Sequence, residues 1–176
     1  MFQRERSLRP RPIGSEAVYL EVKENIMNPR EIVQALLDSV QRGDFQKARF
    51  LVSNDCQFSG PVPEPIKREV WMGMHKNLKK ACPNLEYHFH IDRVDGLDGG
   101  VVKISAELKG THSGVLDLSA VGLGVTPATD KSFAMPREHG EVTIKHDKVA
   151  SWVVEPTEGG GLMGILFQLG IAVPAI

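Results

Sequence analysis

The residues best suited to chemistry in this sequence are histidines set among small or acidic neighbours. His112 lies in Gly110-Thr111-His112-Ser113-Gly114, at the end of a strand-like stretch, and a glycine-rich loop follows that closes with Thr126-Pro127-Ala128-Thr129-Asp130-Lys131. Glycines let backbone and ligand approach closely, and an imidazole there could hydrogen-bond a carbonyl or carry a proton near neutral pH. The same pattern also describes a tight bend with a surface histidine. A second set, Glu86, His88, His90 and Asp92, alternates along one stretch. It has the residue types of a metal site, but a solvated sheet face reads the same way, and no cysteine or second histidine pair at ligand spacing joins it. No metal and no cofactor are therefore expected. Trp71 and Trp152 read as core or cavity wall rather than stacking platforms.

These side chains need a scaffold. Asn28-Pro29-Arg30-Glu31 has a capping residue, a proline suited to the first helical position and an acidic residue three after the cap, and Ile32, Val33, Leu36, Leu37 and Val40 follow at helical spacing. Gly43 ends this helix and Asp44 caps a second, through Phe45, Ala48, Leu51 and Val52. Asp55 to Ser59 predicts a short strand, and Gly60-Pro61-Val62-Pro63-Glu64-Pro65 an irregular loop. A third helix is predicted from Pro65 to about Ala81, stopped by Cys82-Pro83-Asn84. The apolar period then changes to two: Leu85, Tyr87, Phe89 and Ile91 form one strand, and Val102, Ile104, Ala106 and Leu108 the return, about a turn at Asp95 to Gly100. A second hairpin pairs Glu141 to Lys145 with Val149 to Glu155 about His146-Asp147-Lys148. Helices first and long antiparallel strands after them predict an α+β domain with the helices on one face of a curved sheet.

At 176 residues the chain suits one domain. Its 21 basic and 22 acidic residues nearly cancel, which argues against a polyanion binder, so nucleic acid is not an expected partner. Cys56 and Cys82 lack metal-type spacing, and the arginine-rich start has no apolar run; reduced thiols and a cytoplasmic location are expected. The uncharged stretch from Gly159 to Ile176 is short for a membrane span and broken by glycines and Pro174, so a packed helix from Leu162 to Leu169 is expected and membrane association is not. Val18 to Val22 reads either as an edge strand or as a docking arm, within an N-terminal arm taken as 1–28 ahead of a domain at 29–176.

The order of parts, together with Cys82-Pro83-Asn84-Leu85, Gly110-Thr111-His112-Ser113-Gly114, Pro127-Ala128-Thr129-Asp130-Lys131, Lys148-Val149 and Gln168-Leu169-Gly170, resembles the SnoaL-like polyketide cyclase group of the nuclear transport factor 2-like superfamily, over about residues 29 to 171. The resemblance implies a cone-shaped curved antiparallel sheet packed on three N-terminal helices, a cystatin-like α+β fold. It also implies an apolar pocket, with His112, Trp71, His75, Tyr87, Phe89, Trp152 and Phe167 as candidate lining, and a mouth-closing or dimer-contact role for the uncharged C-terminus. The superfamily holds cyclases, isomerases, hydrolases and binding modules without chemistry, so fold does not name an activity.

The group's cyclases use an acid-base Asp about ten residues after the Pro-x-Thr threonine. Counting from Thr129 reaches His139 or Gly140, with Glu141 and Glu138 close by, and a one-residue step on a strand turns a side chain to the other face. Candidate acid-base residues are thus His112, His139 and Glu141. Two functions stay open: a binding module for a hydrophobic small molecule, or an enzyme acting by acid-base catalysis on a hydrophobic carbonyl compound. A broad sheet face carrying His88 and His90 predicts a homodimer.

Overall fold

In the computed structural model, residues 27–60, 62, 64–96 and 100–172 are described. All of the expected N-terminal arm but Met27 and Asn28, the Val18 to Val22 patch included, lies outside them. Helix α1 (Pro29–Arg42) opens on a reciprocal cap: the Glu31 N–H donates to Asn28 Oδ1 at 3.0 Å and the Asn28 N–H to Glu31 Oε2 at 2.9 Å. Its stripe of Ile32, Val33, Leu36, Leu37 and Val40 is sealed in the core. Helix α2 (Phe45–Leu51) is capped by Asp44 and runs directly into strand β1 (Val52–Ser59), longer than the sequence pattern predicts.

The third helix, α3 (Arg68–Ala81), starts three residues later than expected, because Ile66 and Lys67 form strand β2 (Ile66–Lys67) against Phe58 and Gln57. After α3, Leu85, Tyr87, Phe89 and Ile91 keep their two-residue alternation of burial, but regular strand begins only at β3 (His90–Asp95). His88, with φ of 42°, interrupts the ladder between them. Strand β4 (Val101–Ala106) returns beside β3. Two small ladders follow, β5 (Lys109–Thr111) with β8 (Ser132–Ala134) and β6 (Leu116–Asp117) with β7 (Val125–Thr126). Strands β9 (Glu138–Lys145) and β10 (Lys148–Val154) make the predicted hairpin, about a two-residue turn in which His146 and Asp147 both have positive φ.

The main sheet runs β2-β1-β10-β9-β4-β3. Every neighbouring pair is antiparallel except β1 with β10, which is parallel. Register breaks within β1, β3 and β10 add the local bending that lets the sheet wrap around the helices. Helix α4 (Gly161–Leu169) packs back across the small β5–β8 ladder, where the Gln168 side-chain amide pairs with both backbone groups of Ala134 at 3.0 Å. No helix among the described residues is long and apolar enough to cross a membrane.

Candidate functional site

Between α3, the concave face of the sheet and the first turn of α4 lies a cavity of about 150 Å³. Its wall is a closed circuit of rings. Phe58 stacks on Trp71 at 4.2 Å between ring centres, Trp71 leans on His75 at 4.4 Å, and His75 meets Tyr87 at 5.5 Å. Tyr87 stacks on Phe89 at 5.0 Å, Phe89 meets Trp152 at 6.3 Å, and Trp152 returns to Phe58 at 6.1 Å. Each element supplies its ring by its own period: β1 and β10 one each, α3 two at a spacing of four, and the 85–89 segment two at a spacing of two. Leu162 and Ile165 of α4 close part of the rim.

The cavity wall holds a hydrogen-bonded pair. His75 Nδ1 lies 2.9 Å from the Tyr87 hydroxyl. Burial, reinforced by the positive charge of Lys79, lowers the imidazole to a pKa of about 4, so His75 is neutral at pH 7; burial likewise pushes the Tyr87 phenol up. A carboxyl group, Glu138 at the start of β9, also lines the cavity. Its Oε1 accepts the Gly161 N–H at 2.7 Å, at the N-terminus of α4, and burial raises its pKa even though that hydrogen bond opposes the shift.

The candidates sort cleanly. Trp71, His75, Tyr87, Phe89 and Trp152 line the cavity, and so does His139. His139 also directs its Nδ1 toward Asp92, at 3.6 Å, and Asp92 in turn accepts from the Ser105 hydroxyl at 2.9 Å. Glu141 is not in the wall; it is one position further along β9 from Gly140 and forms an ion pair with Lys103 instead. Phe167 is 84% exposed on the outer side of α4, because the buried side of that helix is Gly164, Ile165, Leu166 and Leu169.

His112 is likewise absent from the cavity. It is fully buried in a polar joint, with Nδ1 3.0 Å from Thr129 Oγ1, its backbone N–H donating to Lys131 and its carbonyl accepting from Asp130. Burial lowers its pKa, against the opposing pull of Asp130. Its neighbours in the motif finish α3: the Ser113 and Gly114 N–H groups both donate to the Ala81 carbonyl, which the helix itself leaves unpaired. A side chain at Gly114 would sit 3.0 Å from the Lys80 carbonyl oxygen, so the close approach requires glycine.

The count from Thr129 falls on β9, at positions that carry no carboxylate. Gly140 is buried, and a Cβ there would meet the Val153 carbonyl at 2.8 Å and the Trp152 indole nitrogen at 3.3 Å, so the indole occupies the room a side chain would need. The acid of the wall is Glu138, two residues earlier and hence on the same side of β9 as Gly140, whereas Glu141, one step beyond Gly140, turns away to Lys103. Phe58, missing from the sequence candidates, follows the same rule: it alternates with Cys56 on the inner side of β1. Burial raises Cys56 to about 12 and Cys82 to about 11, so neither thiol is a nucleophile at neutral pH.

No family model and no curated protein matches this sequence. Its structure is similar to IdmH from Streptomyces antibioticus, a candidate polyketide cyclase, with a TM-score of 0.58 and 18% identity over 82% of this chain and 100% of that one. It is similar to a candidate SnoaL-like polyketide cyclase from Jannaschia (TM-score 0.57, 17% identity, 81% of this chain and 91% of that one). AclR from Streptomyces galilaeus, a candidate hydroxylase, also matches (TM-score 0.57, 14% identity, 84% and 83%). At these identities the likeness is one of fold.

Proposed function

The chain folds as a SnoaL-like α+β cone, and from that premise we propose that it binds a small, ring-bearing hydrophobic ligand in the cavity of the cone. The observation that carries this reading is the closed circuit of Phe58, Trp71, His75, Tyr87, Phe89 and Trp152. Ring faces and edges offer a flat ligand contact on every side, and an apolar wall with few, well-placed polar groups is the usual form of a small-molecule site. A space of about 150 Å³ suits one ring, by comparison with apolar cavities that accept benzene.

Both tryptophans of the chain stand in the wall, which gives a direct test. Titrating the protein with indane should change its tryptophan emission in a saturable way. Leu162→Glu, which puts a carboxylate at the rim, should weaken that binding at least tenfold. An emission spectrum that does not respond to any ring compound would refute the reading.

Acid-base catalysis on such a ligand is the second reading, and Glu138 favours it. A cavity carboxyl with a raised pKa is better matched to proton transfer near neutrality than an ordinary glutamate. Its role would be to take a proton from a bound carbon acid, with no help from His112 or Glu141. Deuterium exchange into a cyclic ketone, lost in Glu138→Gln, is the measurement that separates the two readings.

A further inference from the structure

The Tyr87–His75 pair fixes where the hydrogens are. Tyr87 is sealed from solvent, and among the described residues its hydroxyl has one partner, His75 Nδ1. A buried phenol gives up its hydrogen to an acceptor, and Nδ1 serves as that acceptor only when it carries no hydrogen of its own. The hydrogen of the neutral ring is therefore on Nε2. That nitrogen has no hydrogen-bond partner among the described residues, and unlike His112 Nε2 and Trp152 Nε1 it is not among the sealed polar atoms. His75 is only partly buried and forms part of the cavity wall.

We propose that His75, locked by Tyr87 as the Nε2–H tautomer, is the recognition donor of this cavity, and that the ligand it selects is an uncharged ring compound carrying a carbonyl oxygen. The proposal rests on the reading of the cavity as a ligand site and adds the ligand's chemistry. A fixed N–H beside a ring-shaped apolar space rewards an acceptor at the edge of the ring. It penalises a pure hydrocarbon, which leaves the N–H unpaired. The charge of the wall excludes the other strong acceptor. Among the described residues no lysine or arginine lines the cavity, while the Glu138 carboxyl does, so a carboxylate ligand would be buried beside another carboxyl with neither of those cations to offset its charge.

The test uses three probes of one shape on the full chain: 1-indanone, indane and 1-indanecarboxylate, followed by tryptophan emission. The ketone is expected to bind roughly tenfold more tightly than indane, the size of one buried hydrogen bond, with the carboxylate weakest. In His75→Leu, indanone and indane should bind alike. Nitrogen-15 NMR of labelled histidine provides a reading that does not depend on that variant folding: His75 should show the Nε2–H pattern in the wild type and lose it in Tyr87→Phe. Equal affinity for ketone and hydrocarbon in the wild type, an Nδ1–H ring, or a ketone preference that survives in His75→Leu would each overturn the assignment while leaving the cavity a binding site. Failure of all three probes to bind would remove the ligand reading itself.

Discussion

Two histidines of this chain make nearly the same hydrogen bond and do opposite work. His112 Nδ1 meets the Thr129 hydroxyl at 3.0 Å, and His75 Nδ1 meets the Tyr87 hydroxyl at 2.9 Å. The second nitrogen separates them. In His112 it is sealed and has no hydrogen-bond partner among the described residues, at the seam where the 110–114 bend grips both the end of α3 and the 129–131 loop. In His75 it belongs to a ring that forms part of a cavity wall. A histidine set in a conspicuous glycine motif is thus a strut, and a histidine with no motif around it stands in the cavity wall.

The largest effect should come from the strut. His112→Ala removes a fully buried ring and its hydrogen bond to the Thr129 hydroxyl, which should cost about 2–4 kcal/mol in chemical denaturation. The folded fraction should still bind indane as the wild type does, since no atom of His112 reaches the cavity wall. Lost binding together with unchanged stability would reverse the roles assigned to the two histidines.

Acid should expose both rings at once, through linkage. The folded-state pKa of His75 is about 4 against an ordinary value of 6.5, and that of His112 is lowered as well. Between those limits the unfolded chain binds protons on these histidines that the folded chain does not, so their contribution to stability should fall as pH drops from about 6.5 toward 4 and level off above 6.5. His75→Leu should flatten its share of that slope. A slope identical in wild type and variant would mean that His75 accepts its proton without penalty and is more open to water than its place in the wall implies.

How much of this was legible beforehand follows from what each signal encodes. The cap at Asn28 and Glu31, the α1 stripe and the β9–β10 hairpin are written in short-range periodicity, and they stand where the pattern puts them, whereas the first strand of the earlier hairpin begins only at His90. Four rings of the cavity follow the same kind of spacing, Tyr87 and Phe89 alternating and Trp71 and His75 four apart, while Phe58 was not among the candidates. The start of α3 was not legible, because Ile66 and Lys67 pair with Phe58 and Gln57 at the end of β1 instead of opening the helix. The 110–114 motif misled because glycine spacing reports close backbone approach without saying to what; at Gly114 the neighbour is the end of α3 and not a ligand. Glu138 was obscured because its place in the wall depends on the face of β9, which counting along the chain fixes only to within one residue.

Smaller still should be the cost of loosening the donor. Tyr87→Phe keeps the stacked ring beside Phe89 and removes one hydrogen bond, which predicts a loss of about 1 kcal/mol by denaturant unfolding. A loss above about 3 kcal/mol would mark the Tyr87–His75 pair as a strut of the same kind as His112–Thr129.

The smallest stability change is predicted where the two kinds of region meet, at Glu138. Its carboxyl lines the cavity and also caps the first turn of α4, so it could belong to either class. Glutamine keeps an oxygen for the Gly161 N–H and removes a charge that burial disfavours; it also gives up the attraction between that charge and the helix N-terminus. These terms oppose one another, and Glu138→Gln should lie within about 0.5 kcal/mol of the wild type at pH 7, on the stable side. The pH dependence supplies the sign. A carboxyl whose folded pKa is raised above 4.5 contributes stability that is present below 4.5 and lost as pH rises through the folded value, and the variant should lack that decline. A glutamine variant that unfolds far more readily would make the carboxylate a cap and part of the scaffold, whereas unchanged stability with altered handling of ring ketones would place Glu138 beside His75 in the working half of the molecule.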